Sequence, residues 1–462
     1  MKETGIEATA AELERVCARV LRKIKPTRSE EFAERLLADR IMARLKAVIP
    51  GDVEVELAGS IAKQTNLKGD RDFDVFILFP KTYSRKQLET LGLRWAKAAI
   101  APHPWTIGYA EHPYLHASFE ACDADIVPSY KIEEISEKAT SVDRSQLHTK
   151  WVKARLTEKQ RDDVRLLKAF LKGIDAYGAE LKVEGFSGYL CELLVAHYGS
   201  FANVIAAVER WRRPVIDVEK HYDERALGQK FPTPMIAVDP VDRERNVAAV
   251  VSEASLATFV CAARKFLKKP SERFFFPAKK EISAARLRKA LAERKNVLVL
   301  LFRAPGVVPD VLWPQLKKAA HAVSKHLEAA GFRLIGSGWW SDEKKSCVLL
   351  FELEVAELSP ARKVRGPDVW HAQDLDAFVA AHGRALGGPF IEGTRAVAIE
   401  RRRHTTAASL LKEIVARPLK YALPSHIAAS LRRGFRVLEG AQALKNEACT
   451  LALREYFGKR MP

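Results

Sequence analysis

Asp72 and Asp74 stand two residues apart at the head of an apolar run, in the stretch GDRDFDVFILFP. Side chains alternate faces along an extended strand, so residues two apart project together. Asp72 and Asp74 then share one face while Phe73 and Val75 take the other. Two ionised carboxylates so close repel each other, and one takes up a proton unless a cation lies between them. An all-oxygen pair of this kind suits Mg2+, which also bridges substrate phosphates. A bare D-x-D is short, and a solvated strand edge is its commoner explanation. Two neighbouring features narrow the choice. Upstream, Gly59-Ser60 follows the strand-like VEVELA and opens IAKQT, where backbone N–H groups and the Ser60 hydroxyl are placed to hold a phosphate. Downstream, CDADIVPSY offers Asp123 and Asp125 on one strand face, a source for the third carboxylate of a two-metal site for phosphoryl transfer.

The elements that must position these acids follow from periodicity and caps. AAELERVCARVLRKIKP predicts a helix that Pro26 ends, and Thr27 to Glu30 has capping-box spacing before a second helix closed by Pro50-Gly51. Val53, Val55 and Leu57 alternate with Glu54 and Glu56, which is strand periodicity. FDVFILFP predicts a more buried strand, Arg85 to Ile100 a helix, and HASFEACDADIVPSY further strand. To about residue 150 the chain therefore reads as a mixed α/β domain on a small sheet. Beyond it the pattern turns helical: RDDVRLLKAFLK, then a long apolar stretch from Gly185 to Trp211 with glycines that permit a break, then SLATFVCAARKFLKK. The order strand (KNVLVLLF), helix (WPQLKKAAHAVSKHLEAAG), strand (FRLIGSGWW), strand (SCVLLFELE) suits a ferredoxin-like or RNA-recognition-like domain. One more strand, TRAVAIERRR, and two basic helices are expected after it.

A formal net charge of +18 over 462 residues points to a polyanionic partner. The chain has no apolar run of membrane-spanning length and no basic amphipathic anchor, so nucleic acid is favoured over a membrane. Its opening, MKETGIEATAAELERV, is a polar, acidic helix start unlike a targeting peptide. Six cysteines lie far apart without a CxxC pair, as expected of reduced thiols in a cytoplasmic protein.

The combined motifs resemble a known family. GS-x-A-(x)4-LKG-(x)2-DFDVFILFP, DADIVPSYKI, VDRSQLHTKW, VRLLKAFLKG, YGAELKVEGFSGYLCELL and VDPVDRERNVAA are similar to the archaeal-type, class I tRNA CCA-adding enzymes, nucleotidyltransferases of the polymerase-β-like superfamily. The similarity runs nearly unbroken from Gly59 to Ala249 and weakens beyond. It implies a multidomain α+β protein with a nucleotidyltransferase head (residues 1–149), a helical nucleotide-binding neck (150–270) and a tRNA-binding body and tail (271–462). It further implies template-independent addition of C, C and A to the 3′ end of tRNA from CTP and ATP, with Mg2+ as cofactor. Cytoplasmic location and a homodimer are implied as well. A poly(A)-polymerase-like enzyme on the same head, or a tRNA-binding protein without activity, are the alternatives. The intact carboxylate set argues against the latter.

By position, the resemblance assigns the catalytic metals to Asp72, Asp74 and Asp125, with Asp125 preferred to Asp123 because it directly precedes the matching IVP. Gly59, Ser60, Lys63, His148, Lys168 and Tyr177 fall where the family grips the triphosphate, and Arg144 and Arg245 fall around the incoming nucleotide. The family commonly has arginine where this chain has Lys63, and lysine lacks arginine's bidentate phosphate clamp. Some members have glutamate at Asp72. Without the resemblance these residues have plainer readings: Lys168 as a solvent-facing helix lysine, Tyr177 as a helix-end staple, His148 as a packing or capping residue, Arg245 as a loop arginine. Phe274–Phe276 and Trp339-Trp340 read as core. In the tail, Arg401, Arg402, Arg403, Lys412, Lys420, Arg432 and Arg433 are candidates for phosphate contacts that recognise RNA by shape.

Overall fold

The computed structural model describes residues 9–459 except 71, 110, 120, 121 and 279–281. Residues 1–8, expected to open the first helix, and 120–121, inside an expected strand segment, lie outside the described residues. The chain divides into two compact units, one up to Ala278 and one after it.

In the first unit, helix α1 (Ala10–Ile24) and helix α2 (Arg28–Lys46) each begin with a capping box. The box expected at Thr27 and Glu30 is present, and a second forms at Thr9 and Glu12. Strands β1 (Glu54–Ala58), β2 (Asp72–Phe79), β3 (Trp105–Tyr109), β4 (Pro113–Phe119) and β5 (Cys122–Tyr130) form one mixed sheet in the order β1-β2-β5-β4-β3. Helix α3 (Gly59–Lys63) follows β1 directly, and helix α4 (Arg85–Ile100) lies after β2. The central pair β2 and β5 is parallel, with Asp72 opposite Asp123 and Asp74 opposite Asp125. Phe73, Val75, Ile77 and Phe79 of β2 lie in one apolar core with Ala38, Ile41 and Leu45 of α2 and Leu88, Trp95 and Ala96 of α4. The opposite face carries Asp72 and Asp74 at its open end, then Phe76 and Leu78 packed with Ala58, Val127 and Val142. The period-two expectation for β2 therefore holds over the whole strand.

Helix α5 (Arg144–Arg155) runs through residue 150 and is followed by α6 (Glu158–Gly173), α7 (Gly188–Tyr198) and α8 (Phe201–Val208). The long apolar stretch breaks at Gly199, and α7 and α8 meet at 93°. No single helix among the described residues is long and apolar enough to cross a membrane, and most of α7 is buried in the unit's core. That core is organised around Phe170, whose ring meets those of Phe201, Phe259, Phe266, Phe274 and Phe275. Of the FFF segment, Phe274 and Phe275 thus pack as expected. Phe276 does not: it is 42% exposed, with the Lys23 ammonium 5.4 Å from its ring centroid.

In the second unit, strands Val297–Arg303, Leu334–Ser341, Ser346–Leu353 and Phe435–Glu439 form an antiparallel sheet. Its spatial order places the last strand beside the first, then the third, then the second, which is the ferredoxin-like order. Helix Pro309–Ala329 makes the first crossover. Between the third and fourth strands the chain inserts a three-stranded sheet, Ala361–Asp368, Arg395–Arg401 and Gly387–Glu392, with helix Ala372–His382. Trp339 and Trp340 are half-buried on the second strand. The basic tail residues are exposed except Arg402, which donates to the Ala330 carbonyl at 3.0 Å. Among the described residues no disulfide joins the six cysteines.

Candidate active site

The open end of β2 and β5 collects residues from both halves of the first unit. Gly59, which follows the last residue pair of β1 and β2, adopts a left-handed φ of 70°. A Cβ at this position would lie 1.8 Å from Asp74 Oδ2, so the absence of a side chain here is what lets the Asp74 carboxylate occupy its place. Burial, then the charge of Asp125, push the Asp74 carboxyl up to about 6, while Lys63 opposes the shift. Asp72, nearer solvent, is also raised, by burial and then by Asp70, Asp123 and Asp125. Asp125 Oδ1 lies 2.7 Å from His116 Nδ1, across the β4–β5 ladder.

Behind Gly59 and the half-buried Ser60, Lys63 turns inward. Its ammonium donates to Glu192 Oε2 on α7 at 2.7 Å, and its Nζ sits 5.6 Å from the Tyr189 ring centroid. Lys168 of α6 is buried, not solvent-facing: it donates to the Thr65 carbonyl at 3.0 Å and hydroxyl at 3.1 Å, and lies 3.8 Å from Glu192 Oε1. Burial lowers the Lys168 pKa, with Glu192 working in the other direction. Burial also works against charge on Glu192, yet the two ammoniums hold its carboxyl below the usual range. Tyr177 and Lys168 border the same glycine: a Cβ added at Gly188 would lie 3.1 Å from the Tyr177 hydroxyl and 3.4 Å from the Lys168 ammonium.

A second cluster is built on Asp239, which is fully buried. It accepts from His148 Nε2 and Arg245 Nη1, each at 2.8 Å, from the Tyr189 hydroxyl at 3.2 Å and from the Val241 backbone at 3.1 Å. Burial favours a neutral Asp239, but His148 and Arg245 outweigh it and hold the carboxyl at about 2. Burial lowers the His148 pKa, and because an ionised carboxylate can only accept, Nε2 carries the proton in this contact. The His148 and Tyr189 ring centroids stack 4.0 Å apart, and the Lys63 ammonium lies 5.6 Å from that of Tyr189. Arg144 donates to Asp242 at 3.1 Å, and Lys138 shares the same oxygen at 2.8 Å.

Gly59, Lys63, Asp74, His148, Lys168, Tyr177 and Arg245 thus meet in one connected set. Arg144 joins it by the Asp239–Asp242 turn, in which the Asp242 backbone N–H donates to the Asp239 carbonyl at 3.3 Å. Asp72 and Asp125 flank Asp74 on the sheet. The three carboxylates suit a hard divalent cation in kind: all are oxygen donors, and their mutual charge and burial hold Asp74 at an elevated pKa that such a cation would relieve. Among the described residues they share one end of the central strand pair without converging as a set of three.

Three family profiles match the chain: the nucleotidyltransferase domain over residues 38–148, the second domain of tRNA nucleotidyltransferase over 162–276, and the C-terminal domain of the CCA-adding enzyme over 294–440. The CCA-adding enzyme of Archaeoglobus fulgidus is 38% identical over 449 residues, covering 96% of this chain and 99% of the relative. That of Pyrobaculum neutrophilum is 40% identical over 406 residues, 87% and 94% of the two chains. That of Methanothermobacter thermautotrophicus is 38% identical over 425 residues, 90% and 92%. The chain belongs to the CCA-adding enzyme family. Solved structures with a similar arrangement include a cytoplasmic RNA terminal U-transferase and the Cid1 poly(U) polymerase. Both have a TM-score of 0.45 over 57% of this chain, at 16% and 17% identity, and cover 98% and 96% of those chains.

In this CCA-adding family member, three residues that tie the connected set together, Tyr189, Glu192 and Asp239, escaped the sequence reading, as did His116 beside Asp125. Glu192 and Tyr189 sit inside the quoted GFSGYLCELL, and Asp239 inside DPVDRERN. The available signal was a lone acid within an otherwise apolar helix, since such an acid is buried only when paired.

Proposed function

We propose that the protein adds C, C and A, without a nucleic-acid template, to the 3′ end of tRNA, consuming CTP and ATP and releasing pyrophosphate. The observation that carries this reading is the convergence of Asp74, Lys63, Lys168 and His148 at one strand end, in a chain collinear with CCA-adding relatives. Asp72, Asp74 and Asp125 would hold Mg2+, which when bound neutralises charge on the transferring phosphoryl group and lowers the pKa of the attacking 3′-hydroxyl. Gly59, Ser60, Lys63, Lys168 and Tyr177 bind and orient the triphosphate, whose negative charge matches the ammonium pair. His148 joins them at the triphosphate, its direction fixed by the hydrogen bond to Asp239, while Arg144 and Arg245 surround the incoming nucleotide, held by ion pairs with Asp242 and Asp239. The exposed arginines and lysines of the second unit contact tRNA phosphates, which give affinity without reading sequence. The same reading divides the work among residues 1–149, 150–270 and 271–462, in a cytoplasmic homodimer.

The test supplies purified protein with tRNA lacking its 3′ CCA, and with CTP and ATP singly and together. C, C and A are incorporated and addition stops; long homopolymer tails from ATP alone overturn the proposal. Asp74→Ala abolishes addition and leaves tRNA binding within about twofold by filter retention.

A further inference from the structure

Glu192 takes no part in the chemistry proposed above, yet it is 0% exposed and holds a central position. Its neighbours on α7, Leu190, Cys191, Leu193, Leu194 and Val195, are all buried. A carboxylate in such surroundings is costly unless it is paired and hydrogen-bonded, and a well-packed apolar residue serves stability as well or better. Glu192 is fully engaged: Oε2 accepts from Lys63, Oε1 accepts from the Thr65 hydroxyl at 2.7 Å, and Lys168 stands 3.8 Å away. Thr65, itself buried, receives Lys168 on its carbonyl and its hydroxyl. The end of α3, α6 and α7 are thereby tied through one carboxylate. Two ammoniums thus share this one carboxylate, one of them on the short helix that opens with the Gly59-Ser60 turn. A lysine carries its charge on a flexible stem with three rotatable donors, so its direction must come from its neighbours.

We infer that Glu192 is a positioning residue that aims Lys63 and Lys168 at the triphosphate of the incoming nucleotide. This inference rests on the assignment of those two lysines to the triphosphate. It explains how a lysine serves at position 63: Glu192 supplies the fixed direction that a planar guanidinium would carry in itself.

The experiment is steady-state kinetics on the full chain with Glu192→Gln, Glu192→Asp and Lys63→Met, using tRNA lacking CCA, CTP, ATP and added pyrophosphate. Glu192→Gln raises KM for CTP and for ATP together by about tenfold, the worth of one charge-assisted hydrogen bond. It weakens inhibition by pyrophosphate by a similar factor and leaves KM for tRNA within about twofold. Glu192→Asp, which keeps the charge but withdraws it by one methylene, falls between the two. A merely structural role would lower activity without separating pyrophosphate from tRNA, and that result overturns the inference. So does an unchanged nucleotide KM in a folded Glu192→Gln protein or, where that variant fails to fold, in Glu192→Asp. Should Lys63→Met leave nucleotide KM unchanged, the assignment of the lysine itself fails. Should Lys63→Met raise it while Glu192→Gln does not, only the role of Glu192 fails.

Discussion

Gly59→Ala separates the placement of the Asp74 carboxylate from everything else in the fold. The new Cβ would lie 1.8 Å from Asp74 Oδ2, 2.8 Å from its Cγ and 3.2 Å from its Cβ. Comfortable contact begins near 3.5 Å, so the carboxylate must move by roughly 1.5 Å. The obstructing atoms are the end of a side chain, so the fold itself yields cheaply. The left-handed φ of 70° adds about 1–2 kcal/mol for a residue with a Cβ. A displacement of ~1 Å in a reacting group costs on the order of 100-fold in rate. Expected, therefore, is a fall of about 100-fold in kcat at saturating CTP, with a drop of only a few degrees in Tm. The assay is incorporation of radiolabelled CTP into tRNA lacking CCA. Gly69→Ala is the matched control: its φ is 88° and no atom lies within 4 Å of the new Cβ, so it carries the backbone strain alone. If Gly59→Ala keeps a kcat within about threefold of Gly69→Ala, the reasoning from the close approach is refuted.

Two further outcomes concern stability. Asp239 titrates at about 2 in the folded protein against 3.8 for an ordinary aspartate, so its pairing contributes stability that is complete above pH 4 and is lost as pH falls toward 2. The shift corresponds to about 2 kcal/mol, and Asp239→Asn removes this part of the acid limb; urea titrations between pH 5 and pH 3 with identical slopes for both proteins would contradict it. Gly173→Ala sets a Cβ 2.1 Å from the Phe274 carbonyl oxygen and 2.9 Å from the Phe275 carbonyl carbon, backbone atoms that cannot rotate away. It is expected to cost about 1–3 kcal/mol, read as a lowered Tm with thermal unfolding of the full chain; an unchanged Tm disproves the close packing of α6 on that segment.

What the sequence revealed and what it hid divide along physical lines. Asp72 and Asp74 were legible because a strand of period two leaves its acids on one face and its apolar residues on the other. The helix at Arg28 was legible because a capping box is a local event, complete within four residues. Glu192 and Asp239 were not, because each acquires its meaning from partners 129 and 91 positions away. Lys168 illustrates the same point in reverse: a helix lysine reads as solvated until a buried carboxylate and the Thr65 carbonyl are brought to it. The inserted sheet of the second unit was only partly visible. TRAVAIERRR has an apolar core that marks a strand, whereas ARKVRGPD and GGPFIE contain proline and little alternation, so their pairing depends on the strand between them. Phe276 shows the limit of composition, since three consecutive aromatic residues cannot all face one core.

The separation of the site's parts along the chain has a consequence for synthesis. Gly59 and Arg245 are the outermost of the connected residues, and ribosomes elongate at about 5–20 residues per second. Lys63 and Thr65 therefore leave the ribosome tens of seconds, at the slower of these speeds, before the Asp239–Arg245 turn. For the part of that interval before Glu192 emerges, Lys63 has no α7 carboxylate to hold its direction. Completion of the helical half is the event that turns a strand edge rich in negative charge into a place where a triphosphate can rest.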